Sequence, residues 1–270
     1  MRTCTSDGNQ RVGPRGFTLI ELLIAIVVVA LLLGILLPAL SGARRNGDVT
    51  KCLANLRSIH QASMVYAGAN GETWPNAFAK GGKLPIWLIG STQYEPQDPY
   101  PQLWLWVAVL KDAGLCDARA EFEAFSCPAV LREVREDMGA NPQMGPLKSY
   151  CYSPAFFTDP KLWDPALTDR STRCNEFWGR VRVSSVAFPA GKVAFFEFAD
   201  RHGGGEVIGS VGAPPTHQSN VAFADGHVAR VRPNDAVPAL EFDWNHFFGP
   251  TTPAALPFAC SPGGCNGRDY

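Results

Sequence analysis

The stretch FTLIELLIAIVVVALLLGILLPALSGA, residues 17–43, carries a single charge, that of Glu21. From Leu22 to Ala43 there are 22 consecutive uncharged residues, which as a helix rising about 1.5 Å per residue reach about 33 Å, enough to cross the hydrocarbon core of a bilayer. A membrane-spanning helix is therefore expected. Arg2, Arg11 and Arg15 precede it, so the positive-inside tendency keeps the amino end cytoplasmic and exports the rest, although Arg44 and Arg45 just beyond the span weaken the asymmetry.

Three readings of this segment compete. A secretory signal would use Ser41-Gly42-Ala43 as its cleavage site, but the apolar region is too long for one. An uncleaved anchor gains nothing from Glu21, whose carboxylate is costly in lipid and calls for a partner. In the third, Arg15-Gly16-Phe17-Thr18-Leu19-Ile20-Glu21 resembles the cleavage site of type IV prepilins and type II secretion pseudopilins. The resemblance implies a prepilin peptidase/N-methyltransferase that cuts between Gly16 and Phe17 and methylates the new amino group of Phe17. It also implies that Glu21, fifth in the mature chain, meets the amino terminus of a neighbouring subunit in the filament core, since a buried carboxylate needs a cation. Other pilin or pseudopilin subunits and the inner-membrane assembly machinery are the further partners implied, with the chain single-pass in the inner membrane and its carboxy-terminal domain periplasmic or extracellular.

Beyond the span, Val49, Cys52, Leu53, Leu56, Ile59 and Tyr66 recur at helical spacings with Arg57 and Gln61 between them, an amphipathic pattern. Joined to the membrane segment it predicts one helix from Phe17 to about Ala67, roughly 75 Å long, ended by Gly68, Asn70 and Gly71. Pro38 lacks an amide hydrogen and crowds the carbonyl of Gly34, so a kink or locally unwound stretch is expected between them. Pilins similarly carry a proline at this place.

From residue 71 onward short runs alternate with Pro, Gly and Asp. Trp104 to Leu115 reads as a short helix ended by Gly114. Arg180 to Ala187 alternates through Val181 and Val183, Lys192 to Phe198 is rich in valine and phenylalanine, and Asn220 to Val231 holds two strands around one turn, together an antiparallel sheet. Asp225-Gly226 suits a two-residue type I′ turn, which would set Phe223 opposite Val228. The fold expected is α+β and pilin-like: a leader over residues 1–16, a membrane and stalk helix over 17–69, and an exported α+β domain over 70–270 with a carboxy-terminal hairpin element at about 201–231.

His217 to Val228, with Asp225, Gly226 and His227, resembles the carboxy-terminal H-x9-D-G element of a large pilin-like group, although seven residues rather than nine separate His217 from Asp225. Arg201-His202-Gly203 resembles the usual opening of that element followed by an insertion, so His202 and His217 both stand as its histidine. Cys52-Leu53-Ala54-Asn55-Leu56-Arg57, Phe125-Ser126-Cys127-Pro128 and Lys148-Ser149-Tyr150 resemble further fragments of the same group.

The chain has eight cysteines, which without paired C-x-x-C spacing favours an oxidising compartment. Cys4 would leave with the leader, so seven remain and three bridges is the ceiling. Candidate pairs are Cys260 with Cys265, Cys151 with Cys174, and Cys52 with Cys127, the last tying the helix to the β domain; spacing does not fix them. His202, His217, Asp225 and His227 are candidate ligands for a divalent metal, weighed against Asp225 merely setting the turn. No run of closely spaced Asp or Asn suggests calcium. Trp74, Trp104, Trp106 and Trp244 are read as core residues ahead of a sugar-binding surface.

With 24 Lys+Arg against 25 Asp+Glu there is no basic excess to hold a phosphate backbone, and no direct nucleic-acid contact is expected. Removing residues 1–16 leaves 21 basic and 24 acidic side chains, a balance that permits close lateral packing of subunits. G-x-S-x-G, H-E-x-x-H, G-x-x-x-x-G-K and G-x-G-x-x-G are all missing. The chain is accordingly expected to be a non-catalytic structural subunit without a cofactor. The competing class is a membrane-anchored binding protein or enzyme that uses the helix only as a tether.

Overall fold

Thr18-Leu19-Ile20-Glu21 is a T-x-x-E capping box that starts the first helix. Thr18 Oγ1 accepts from the Glu21 N–H at 3.3 Å, and Glu21 Oε2 accepts from the Thr18 N–H at 2.9 Å and the Thr18 hydroxyl at 2.8 Å. The helix, α1, then runs Leu19–Ala69. It passes Gly34 and Pro38 unbroken, so the unwound stretch anticipated there is not formed. A proline removes a single rung of the ladder, and the helical residues on both sides hold the register. After Ala69 the chain turns through left-handed Gly71 and Glu72, with φ of 68° and 58°, and the Glu72 N–H caps the carbonyl of Ala67 at 2.8 Å.

This computed structural model describes residues 17–76, the strand backbones at 87–89 and 92–94, and residues 106–116, 125–136, 149–169, 174–197, 200, 202, 218–240, 258 and 261–270. The chain divides into two compact units, Met1–Arg45 and Asn46–Tyr270. In the first, the described apolar side chains are exposed, from Phe17 at 76% and Leu19 at 88% to Leu40 at 66%, and the helix is long and apolar enough to cross a membrane.

In the second unit the remainder of α1 buries Cys52, Asn55, Leu56, Ile59, His60, Ser63, Tyr66 and Ala67, one stripe at spacings of one and three. This stripe packs against a four-stranded antiparallel sheet. After a small hairpin of β1 (Trp87–Ile89) and β2 (Thr92–Tyr94) come, among the described residues, two short helices, α2 (Trp106–Asp112) and α3 (Pro128–Glu136). The sheet follows in the order β3 (Tyr150–Tyr152), β4 (Val193–Glu197), β5 (Ser219–Phe223) and β6 (Val228–Val231). Tyr150, Tyr152, Phe195 and Ala222 join the α1 stripe in one core, while Cys151, Val193, Phe196, Val221 and Phe223 build a second with Leu162, Trp163 and Phe258. A bulge between Val193 and Phe195 lets the consecutive residues Ala194 and Phe195 both serve the α1 side. The long amino-terminal helix set on an antiparallel sheet is a pilin-like α+β fold.

α2 lies inside the expected Trp104–Leu115 span, and left-handed Gly114 ends it with its N–H on the carbonyl of Lys111 at 2.9 Å. Two further sequence expectations are corrected. Arg180 to Ala187 is not a strand: Arg182 makes one bridge to Thr73, and Val183–Ser185 winds into a 3₁₀ turn that brings Val183 and Val186 three apart onto the core. The β5–β6 hairpin has a three-residue loop, because Ala222 pairs with Val228 and the Phe223 N–H meets the His227 carbonyl at 2.9 Å. Phe223 thus faces His227, not Val228, and their rings stack at 4.1 Å. Only Gly226 takes a positive φ, of 91°, whereas a type I′ turn would need Asp225 left-handed as well.

Trp74, Trp106 and Trp163 are each 0–1% exposed and belong to the core; Trp104 and Trp244 lie outside the described residues. At the carboxy terminus the fully buried Lys192 ammonium meets Asp269 Oδ1 at 3.1 Å and the Ser261 hydroxyl at 2.6 Å, while Asp269 Oδ2 accepts from the Val193 N–H at 2.7 Å.

Candidate functional site

Two places carry chemistry. At the first, Phe17 is exposed and Glu21 is engaged by Thr18 alone among the described residues, in the capping box. A carboxylate at a helix amino terminus is favoured by the helix dipole and by the free N–H groups there. Pro38 lies within α1, its carbonyl accepting from the Ser41 hydroxyl at 2.8 Å. Gly16 is outside the described residues.

The second place is inside the second unit, where four chain segments meet. Cys52 comes from the buried stripe of α1, Cys127 immediately precedes α3, Glu197 ends β4, and His202 follows five residues later. One ligand atom from each lies within 4.8 Å of the other three. His202 Nε2 is 3.4 Å from Cys52 Sγ, 3.6 Å from Cys127 Sγ and 3.3 Å from Glu197 Oε1. The imidazole and the carboxylate are each 2% exposed.

The surroundings fix this geometry. Tyr150 donates its hydroxyl to the Cys52 carbonyl at 3.4 Å, Asn55 donates to the Ser126 carbonyl at 2.8 Å, and Ser149 Oγ accepts from the Cys127 N–H at 2.9 Å. Asp200 accepts from the His202 N–H and the Gln218 N–H, each at 3.2 Å, and from Arg230 at 3.4 Å. Asn220 donates its backbone N–H to Glu197 Oε2 at 3.4 Å. Arg132 clamps α3 onto α1 through Asp48, with Nη2 to Oδ2 at 2.6 Å.

The electrostatics follow from crowding. The Cys52 thiol is pushed up by its hydrogen bond with Cys127, by burial and by the Glu197 charge. That same bond, working against burial and joined by one from His202, brings the Cys127 thiol down to about 6. Burial opposes charge on His202, yet the hydrogen bonds it donates to Cys127 and Glu197 push its pKa up to about 10. Two thiols, an imidazole and a carboxylate in a closed tetrad are suitable donors for a tetrahedral metal ion.

Of the metal candidates read from the sequence, only His202 belongs to this group. Asp225 and His227 instead pair with each other on the exposed hairpin, Oδ1 to Nδ1 at 2.6 Å, and His217 lies outside the described residues. The Asp225 carboxyl is buried slightly, which raises its pKa, but the bonds from the His227 backbone and ring outweigh this and hold it below its ordinary value. The hairpin tip lies on α1, where the His60 ring donates from Nε2 to the Ala224 carbonyl at 3.0 Å.

There is no disulfide among the described residues. Cys52 and Cys127, a candidate bridge in the sequence, stand as two buried thiols whose sulfurs share a cluster with Glu197 and His202. Cys265 is buried as a thiol, Cys151 is buried in β3, and Cys260 and the Cys174 side chain lie outside the described residues. Reading the sequence missed Thr18, His60, Asp200 and Glu197 as site residues. Thr18-x-x-Glu21 is a legible cap, and Glu197 is the one charge within the apolar run Val193 to Phe198.

No curated protein and no solved structure matches this chain. Its residues 13–37 match the family model of the prokaryotic N-terminal methylation motif, which spans the Gly16–Phe17 bond, Glu21 and the first turns of α1 and implies processing by a prepilin peptidase.

Proposed function

We propose that this chain is a pilin-like structural subunit of a type IV pilus or a type II secretion pseudopilus, cut between Gly16 and Phe17, methylated on Phe17 and assembled through α1. The observation that carries the reading is the position of the methylation motif, at the start of a helix whose first unit exposes apolar side chains on every face. Such a surface needs lipid before assembly and neighbouring helices after it. In the filament, the Glu21 carboxylate accepts the methylated amino group of an adjoining subunit's Phe17, since a charge in an apolar bundle requires a countercharge. The chain acts without catalysis, and its partners are the peptidase, other subunits and the inner-membrane machinery that extrudes them. Asp225-Gly226 and the histidine upstream of it belong, in this reading, to the carboxy-terminal processing-associated element of pilin-like chains.

The mass of the chain purified from its native membrane is the test. A start at methylated Phe17 supports the proposal; a start at Arg44 identifies a secretory signal and overturns it. Glu21→Gln separates charge from capping, because the amide oxygen still accepts from Thr18. Loss of helix-to-helix crosslinks in that variant, with helix content unchanged, supports assembly through the charge. Wild-type crosslinking would leave Glu21 as a cap alone and overturn assembly through the charge.

A further inference from the structure

His202 Nε2 has three polar neighbours at 3.3–3.6 Å, namely Glu197 Oε1, Cys52 Sγ and Cys127 Sγ. A ring nitrogen carries at most one hydrogen, so it can serve one of the three at a time, and the two thiols are left with only the weak hydrogen bond they make to each other. A cation at the centre of the four atoms satisfies all of them together. Bond lengths of about 2.3 Å to sulfur and about 2.0–2.2 Å to nitrogen and oxygen, at tetrahedral angles, require edges of about 3.5 Å between sulfur and nitrogen and about 3.3 Å between nitrogen and oxygen. The observed edges of 3.4, 3.6 and 3.3 Å match these.

We infer that Cys52, Cys127, Glu197 and His202 bind one zinc ion as a closed structural site. Two thiolates select a borderline-soft metal, the imidazole and the carboxylate suit zinc, and four protein ligands leave no open position for substrate. Zinc joins the α1 stripe, the start of α3, the end of β4 and the loop after it, segments as far as 150 residues apart in sequence. Supporting groups are in place. Asp200 holds the His202 backbone, and Asn220, which donates its N–H to Glu197 Oε2, is 1% exposed with both side-chain amide atoms lacking a partner among the described residues. Asn220 is thus a buried polar residue whose backbone holds the carboxylate ligand, and an apolar core would not retain its side chain without a use.

The test uses the full mature chain, purified from membranes in detergent without chelator or reductant. One zinc per chain is expected to survive passage over a chelating resin. Cys52 and Cys127 should resist iodoacetamide until a strong chelator strips the metal, after which both are alkylated. Stripped wild-type protein given cobalt(II) should show thiolate charge-transfer bands and the intense visible bands of tetrahedral coordination, a readout that needs no mutation. Asp200→Asn is expected to weaken zinc retention by about tenfold or more while leaving all four ligands present. A Cys52–Cys127 disulfide in the purified chain overturns the inference. So does a chain that holds no zinc and whose two thiols are alkylated at once, or a cobalt spectrum without thiolate bands.

Discussion

Gly226 rests against the imidazole of His60: a Cβ placed on it would meet ring Cε1 and Nδ1 at 3.0 Å. The contact lets the hairpin tip lie on α1 closely enough for His60 Nε2 to reach the Ala224 carbonyl at 3.0 Å. Two demands coincide at this residue, a φ of 91° and an approach that a methyl group would crowd unless the His60 ring gave way.

Gly226→Ala meets both obstacles. It is expected to destabilise the second unit by about 1–3 kcal/mol. Tryptophan fluorescence, to which Trp74 contributes with its ring 5.7 Å from that of His60, should show a lower midpoint at unchanged slope in a urea titration. A midpoint equal to wild type would mean that the turn does not bear on the helix.

His60 also sets a pH dependence. Burial lowers its pKa below the ordinary 6.5, while the bond to Ala224 and the Asp225 carboxylate oppose the shift. The folded chain therefore binds fewer protons here than the unfolded chain between the lowered value and 6.5, so stability rises with pH across that interval. The contribution is complete above 6.5 and is lost as pH falls below it. His60→Gln removes the titration and should flatten this part of the stability curve relative to wild type. Identical slopes in the two proteins would contradict the assignment.

Lys192 and Asp269 form an ion pair with both side chains fully buried. Lys192→Met strands the carboxylate and is expected to cost about 3–5 kcal/mol. Asp269→Asn on that background removes the stranded charge and should recover part of the loss. Denaturant midpoints of both single variants and the double variant measure the coupling, and additive effects would refute a coupled pair.

Much of this architecture was legible. Leu56, Ile59 and Tyr66 announce the buried stripe of α1 because helical spacing is a local property. Asn55, His60 and Ser63 share that stripe but do not look buried in sequence, since the Ser126 and Ala224 carbonyls that take Asn55 and His60 lie 71 and 164 residues away. Asp225-Gly226 announces a hairpin without choosing its loop length; the stacking of Phe223 on His227 and the seat of Gly226 on His60 choose it. Val181 and Val183 alternate as a strand would, yet the chain finds one bridging partner at Thr73 and then winds into a turn. Cys52 and Cys127 suggested each other as cysteines. What hid the group they belong to was its histidine, 75 residues beyond Cys127, and its glutamate, set within an apolar strand.

Asp200 touches the backbone at both His202 and Gln218. One carboxylate thereby ties the backbone of the histidine to the residue that leads into β5. Removing that carboxylate would release both amides and the Arg230 guanidinium at once, so one substitution at Asp200 loosens the backbone of the histidine and the start of β5 together.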